Sequence, residues 1–327
     1  MFNPRSFFFL VLGCCLAPSA LWAAAPKAQP AAVPKAVPKV SIPKLEKQCD
    51  KGGGLACQLL AEAYEKGLEV PAAEPARART YYQKACDLKQ ADACSNLGVM
   101  FEGAIGGERD DAKAAALFQR GCELGQPVSC YNLGTRYNRG IGVAPDRSRA
   151  VALFQKGCAA NHAGSCTQLG DLYDQGLGVP RDHVKSAALY LKACEKGSAD
   201  GCYNLGVGYQ SGEGLPRDDK LALATYRKAC DGGAMAGCHN AGQMLLRGDG
   251  VPADLAAGTA YLEKTCAHEA APRDPGARQA AASACSTLGR VFGEGFGGVA
   301  KDAQKARGFN QRACALGVRQ ACAAAKP

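Results

Sequence analysis

The segment Cys158–Cys194, CAANHAGSCTQLGDLYDQGLGVPRDHVKSAALYLKAC, holds one full period of the chain. Cys158 and Cys166 stand eight residues apart, and Cys194 opens the next period 36 residues after Cys158. Cys166, Leu169, Gly170 and Tyr173 fall at offsets 0, 3, 4 and 7, positions that share one face of a helix with 3.6 residues per turn. Gly176 ends that run and Asp182 precedes a second one, which carries Tyr190 and closes on Cys194. An aspartate in such a place accepts the orphan amides of a helix N-terminus. Asn161, three residues after Cys158, suits a left-handed helix stop. The unit is a helical hairpin.

The same marks recur along the chain. Of 18 cysteines, sixteen form the pairs Cys49/Cys57, Cys86/Cys94, Cys122/Cys130, Cys158/Cys166, Cys194/Cys202, Cys230/Cys238, Cys266/Cys285 and Cys314/Cys322. Seven pairs are eight apart, and Cys266/Cys285 is eleven residues longer, an insertion over 267–284. The second run opens after Asp110, Asp146, Asp182, Asp218, Asp254 or Asp302, with Glu74 once. Tyr82, Phe118, Phe154, Tyr190 and Tyr226 precede its closing cysteine by four, with Leu262 and Asn310 in the last two copies. Glycine stops stand at Gly52, Gly125, Gly197, Gly233 and Gly317. The glycine at offset 4 costs about 1 kcal/mol of helix propensity, so its recurrence implies a close helix approach. A fixed period between about 20 and 50 residues marks a repeat array. The expected fold is an all-α, right-handed αα-hairpin solenoid of about seven hairpins over 45–326.

Paired cysteines serve zinc or disulfides. Zinc sites favour C-x2-C pairs with matched histidines. The chain has no C-x2-C, and His162, His183, His239 and His268 occupy unrelated positions. Residues 1–23, with Arg5, the apolar run Phe7–Leu16 and small residues around Ala23, read as a secretory signal. Export to a bacterial periplasm or beyond favours disulfides. Val11-Leu12-Gly13-Cys14 also resembles a lipobox, which would place a lipid anchor on Cys14; the bulk of Leu12 and the apolar run beyond Cys15 favour cleavage near Ala23. Residues 24–44, AAPKAQPAAVPKAVPKVSIPK, read as a proline-rich tether. Its lysines carry much of the net charge of +9, so nucleic acid is not implied.

Two pairings fit the spacing. Cysteines eight apart would bridge the turn between hairpins; cysteines 28 apart, such as Cys94 and Cys122, would close one hairpin. The first uses all sixteen and the second strands Cys49 and Cys322, which favours Cys49–Cys57, Cys86–Cys94, Cys122–Cys130, Cys158–Cys166, Cys194–Cys202, Cys230–Cys238, Cys266–Cys285 and Cys314–Cys322.

The L-G-x-x-Y-x-x-G-x-G-V-x-x-D…Y-x-K-A-C pattern resembles Sel1-like repeats, relatives of the tetratricopeptide repeat. With a cysteine pair in every unit, the chain is most similar to the secreted cysteine-rich Hcp proteins over about Leu45–Ala325. The resemblance implies a β-lactamase or penicillin-binding hydrolase as one alternative. Such chemistry needs S-x-x-K opening a buried helix. The match, Ser41-Ile42-Pro43-Lys44, falls in the tether, and Lys264-Thr265-Cys266 ends in a paired cysteine. No catalytic residue is expected. A haem- or metal-handling chaperone is a third class, with His239 as its one suggestive residue; no cofactor or metal is expected.

Solenoids bind extended partners on a concave face, generally lined by first helices. Offsets 2, 6 and 9 of the first helix are expected to point away from the packing. They supply Asn96, Asn132, Arg136, Arg139, Asn204, Asn240, Met244 and Arg247 as candidate peptide contacts. The asparagines would pair with a peptide backbone or, equally, form a ladder satisfying neighbouring helix ends. Arg136 and Arg139 with Asn132 would receive a carboxylate, and Met244 would offer an adaptable apolar contact. The expectation is a monomeric exported adaptor for a protein or peptide.

Overall fold

A computed structural model of the chain describes residues 41–268 and 275–325. The leader, Cys14, residues 24–40 of the tether and residues 269–274 of the insertion lie outside the described residues. Among the described residues every regular element is a helix, and none is long and apolar enough to cross a membrane.

A leading helix α1 (Ile42–Asp50) is followed by seven hairpins. These are α2 (Gly54–Lys66) with α3 (Pro75–Asp87), α4 (Ala91–Glu102) with α5 (Asp111–Glu123), α6 (Pro127–Arg139) with α7 (Arg147–Ala159), and α8 (Ala163–Gln175) with α9 (His183–Glu195). Then come α10 (Ala199–Ser211) with α11 (Asp219–Asp231), α12 (Met235–Arg247) with α13 (Leu255–Ala267), and α14 (Pro275–Glu294) with α15 (Ala303–Ala315). A short α16 (Arg319–Ala324) closes the array. Each first helix touches its own second helix and the second helix before it, and α6, α8, α10, α12 and α14 also touch in sequence. This is the expected solenoid. Its start differs: α1 begins at Ile42, inside the stretch read as tether. Pro43 sits in the first turn, where a missing amide is tolerated, and Leu45 is buried.

The local signals work as read. Asp110, Asp146, Asp182, Asp218, Asp254 and Asp302 each accept the backbone N–H three residues on, at 2.9–3.0 Å. Glu74 makes no such bond. The glycine stops and Asn161 adopt positive φ, and so does Lys89, which takes the same place after Cys86. Behind the stop the chain doubles back: Ser198 N–H donates to the Ala193 carbonyl at 2.9 Å and Gly197 N–H to that of Cys194 at 3.2 Å.

All eight disulfides follow the turn-bridging pairing, with Cα–Cα distances of 4.5–4.9 Å. Each ties the last turn of one second helix to the first turn of the next first helix. The insertion is absorbed partly by lengthening α14, which begins at Pro275, ten positions before Cys285, whereas α8 begins three before Cys166. Ala277 and Ala280 in this extension pack on Cys230, Met235 and Cys238, covering the preceding staple.

The offset-4 glycines are places of close approach. A Cβ on Gly134 would lie 2.8 Å from the Phe154 ring, and one on Gly170 2.6 Å from Tyr190. A further device was not read from the sequence. In several repeats the basic residue two before the closing cysteine reaches back to the preceding second helix. Lys156 Nζ donates to the Cys122 carbonyl at 2.6 Å, Lys264 Nζ to Cys230 at 3.4 Å, and Arg312 to Ala267 at 3.0 Å. A cation at a helix C-terminus satisfies orphan carbonyls and opposes the helix dipole.

Gly134→Ala is expected to lower stability by about 1–2 kcal/mol, since overpacking against Phe154 outweighs the helix-propensity gain. Gly308→Ala is expected to raise it by about 0.5–1 kcal/mol, because that exposed mid-helix position has open space around it. Urea unfolding curves of the two variants check both signs. Replacing Cys158 and Cys166 together by alanine is expected to cost about 2–3 kcal/mol in the same measurement.

Candidate functional site

Each first helix is gripped from two sides, and this decides which residues remain for a partner. Offset 4 faces the helix's own hairpin partner, as Gly134 against Phe154 shows, while the offset-0 cysteine is tied to the preceding second helix and the offset-3 Leu133 clusters with Ala114 and Phe118 there. The position before the cysteine faces the preceding second helix: a Cβ on Gly201 would lie 2.6 Å from that of Ala193. Offset 6 continues that second face. Met100, Arg136, Leu172 and Met244 are each at most 3% exposed. The expectation that offset 6 points outward is therefore corrected, and Arg136 and Met244 leave the candidate surface.

Arg136 shows how a charge is accommodated there. Its guanidinium lies 3.3 Å from the Asp111 carboxylate, 3.4 Å from Glu102 and 5.2 Å from the Phe118 ring centroid. It also donates to the Asp111 and Ile141 carbonyls at 3.3 Å. Hydrogen bonds from Arg109 first, and then from Arg136, hold the Asp111 carboxyl below its ordinary range against the opposing effect of burial. Met244 packs with Ala222, Tyr226 and Leu245.

The asparagines at offset 2 are half-buried and partly engaged. Asn96 Nδ2 donates to the Tyr82 hydroxyl at 3.4 Å, Asn204 Nδ2 donates to Asp171 at 3.0 Å, and Asn240 lies near the Tyr226 hydroxyl, partly offsetting the burial that raises its pKa. The tyrosine hydroxyls themselves donate to Glu65 at 2.7 Å, Asp171 at 2.8 Å and Gln210 at 2.8 Å. Where the second-helix ring is Phe118, no hydroxyl exists for Asn132 to serve. Asn96 thus serves a tyrosine hydroxyl, and Asn204 the carboxylate to which Tyr190 donates, rather than helix ends. Burial raises the Asp171 carboxyl to about 6, with the Tyr190 hydroxyl opposing it and Asp174 and Asp200 adding to it.

What remains outward is the stripe at two before the cysteine and at offsets 2, 5 and 9, opposite the core face. It carries Val128, Asn132, Thr135 and Arg139 on α6, and Asp200, Asn204, Val207 and Ser211 on α10. Arg139 and Arg247 are exposed, as are Val99 and Val207, at 43% and 38%. The offset-5 members were missed in the sequence. On a helical wheel they stand roughly opposite the centre of the face formed by offsets 0, 3, 4 and 7, a signal obscured by reading offset 6 as outward.

The remaining candidates are structural in their placement. Ser41 and Lys44 are exposed at the start of α1, and Thr265 is buried with its hydroxyl on the Tyr261 carbonyl at 2.8 Å. His239 Nε2 lies 3.3 Å from the Ser283 hydroxyl, and its Nδ1 is buried without a partner. Burial first, and the nearby Arg247 second, lower its pKa. Among the described residues no cluster of three metal-ligating side chains occurs.

The Sel1 repeat family model matches residues 54–89, 91–126, 127–162, 163–198, 199–233, 236–268 and 282–318. Among solved structures, the chain is similar to the protective antigen c5321 of uropathogenic Escherichia coli, which displays an SLR fold. That match has a TM-score of 0.73 and 25% identity over 86% of this chain and 58% of that one. The chain therefore spans little more than half the length of that antigen. A Sel1 repeat protein from Oxalobacter formigenes matches with a TM-score of 0.64 and 21% identity, over 84% of this chain and 99% of its own. Helicobacter pylori cysteine rich protein B is 32% identical over 40% of this chain and 93% of its own, with a TM-score of 0.34. Among curated proteins no sequence match is found.

Because the raised Asp171 titrates above its unfolded value near 3.8, the folded state holds the proton more tightly, and stability falls as pH rises from about 4 to 6. Asp171→Asn is expected to flatten that slope and to be more stable than the parent by about 1–2 kcal/mol at pH 7, the difference vanishing near pH 4. Unfolding free energies across that range check it.

Proposed function

The chain belongs to the Sel1-repeat family, and from that premise we propose that it is an exported adaptor that binds a protein or peptide along the outward stripe of its first helices. Sel1-repeat proteins are generally protein–protein interaction scaffolds. The observation that carries the reading is the stripe itself. Successive first helices leave most of these positions open to solvent, Asp171 and the buried Thr287 being exceptions, and the side chains there change from repeat to repeat. A surface that alternates Val99, Thr135, Val207 and Gln243 along one line offers an extended partner both apolar contacts and amides. Asn132 and Arg139 remain in this stripe; Asn96, Asn204 and Asn240 contribute through amide groups held in place by the tyrosine network. Rigid placement lowers the ordering cost of binding.

Eight disulfides in a chain with bacterial relatives support an oxidising, exported location. The staples also support the adaptor reading physically. They hold each hairpin to the next without occupying the outward stripe, so the spacing between successive binding positions is fixed.

The test is co-purification from the native bacterial envelope. The parent chain is expected to retain a defined polypeptide partner, and the Val99→Glu, Thr135→Glu, Val207→Glu triple variant to lose it. Gln155→Glu with Leu191→Glu, exposed on second helices, is expected to keep it. A partner retained equally by both variants would refute the stripe as the binding surface.

A further inference from the structure

The stripe changes character where α12 meets α14. Arg247 and Arg290 line one groove between these helices, and both are exposed. Neither makes an ion pair within 4.0 Å with a carboxylate of the described residues, although Glu294 lines the same groove. Arg120, Arg136 and Arg217 are by contrast paired, on Asp87 at 2.8 Å, Asp111 at 3.3 Å and Asp219 at 3.1 Å. The charge of Arg247 is felt inside the protein, where it disfavours the imidazolium of His239 after burial has already done so.

The groove also has an apolar part and a fixed frame. Leu246 and Val291 form its floor at 4% and 3% exposure, and Phe296 stands at its rim, half exposed. Gln243 Nε2 donates to the Thr287 hydroxyl at 3.1 Å across the same two helices. The extension of α14 packs Ala280 on Cys230, Met235 and Cys238, which braces α14 against the staple at the head of α12. Two cations held at a set spacing beside an apolar floor are a recognition site for anions attached to an apolar chain, since Arg takes carboxylates in paired, directed hydrogen bonds.

We propose that this groove seats an acidic segment of a partner polypeptide, with side-chain carboxylates on Arg247 and Arg290 and a neighbouring apolar side chain on Phe296. Two guanidiniums on separate helices match two carboxylates, more than one chain terminus supplies. The proposal rests on reading the first-helix stripe as a binding surface and gives one place on it a chemistry. It also assigns a purpose to the longer seventh repeat, whose added turns fix the spacing of the two arginines.

Fluorescence anisotropy with a labelled, C-terminally amidated peptide carrying an Asp-Glu pair beside leucine tests it on the full chain, against the Asn-Gln counterpart. The acidic peptide is expected to bind at least about tenfold more tightly than its amide counterpart, and to weaken as salt rises. Arg247→Glu with Arg290→Glu is expected to lower its affinity by at least about tenfold. Lys220→Glu with Arg278→Glu, the same charge change at exposed positions off the groove, is expected to leave it unchanged. Matching circular dichroism of the variants establishes that they fold. Equal binding of the two peptides, no binding of the acidic one, or indifference to the double arginine variant would each overturn the proposal. Displacement by inorganic phosphate as effective as by unlabelled peptide would make the groove a free-anion site, and so would also overturn it. An envelope partner lost with the stripe variant yet retained by the double arginine variant would remove this inference and leave the adaptor reading standing.

Discussion

Each first helix must be buried from two sides, because a single hairpin has too little core to stand alone. One side meets its own second helix at the glycine stripe, where Gly134 lies against Phe154 and Gly170 against Tyr190. The other side meets the preceding second helix, with Arg136 or Met244 filling the space at offset 6. This double burial sets the contact between hairpins and, by subtraction, the narrow stripe left for a partner. The staples act at the same junctions. Cys158–Cys166 fixes one second helix to the next first helix, where the chain turns after only three residues. The basic residue that reaches back to the previous helix end adds a polar tie beside it.

Burying an aromatic between three helices has a polar consequence when the ring is tyrosine. Its hydroxyl needs partners in a place water reaches poorly. Glu65, Asp171 and Gln210 accept from it, and Asn96 adds a donor to the Tyr82 hydroxyl. Asp171 meets the need at the expense of its own hydration, which raises its pKa. With phenylalanine the problem takes another form. Phe118 lies beneath the Arg136 guanidinium, and Glu102, at the offset where Glu65 and Gln210 bond tyrosine, pairs with that arginine instead. The repeats therefore share a frame but differ in how they settle its polar accounts. That is why the asparagines look alike in sequence and are not alike in availability.

The seventh repeat departs from the frame and shows what the frame tolerates. Asn310 stands where the first five hairpins have an aromatic ring, and the insertion stretches the staple to a separation of 19 residues. The added residues do not break the periodic contacts, since those on the described side extend α14 along a direction it already follows. Their contact with the previous staple gives α12 and α14 a second point of attachment. A solenoid accommodates such change because each unit answers only to its neighbours.

The repeat period, the hairpin, the aspartate caps, the left-handed stops and the turn-bridging disulfides were all legible in the sequence. Each depends on residues within one or two turns of one another, where spacing fixes geometry. The start of α1 was misplaced because Pro43 reads as a breaker unless its position in the first turn is known. The candidate site was legible only in part. Arg139, Arg247 and the asparagines fall on the first-helix row as read, but Arg136 and Met244 are core, and Val99, Thr135 and Arg290 went unnoticed. A helical wheel identifies one buried face from its own apolar residues. It does not reveal a second face created by the preceding hairpin, because that burial comes from another part of the chain and accepts a polar residue such as Arg136 when partners are supplied there. Local chemistry alone determined the hairpins and their staples; which side chains remain free was decided only when neighbouring hairpins came together.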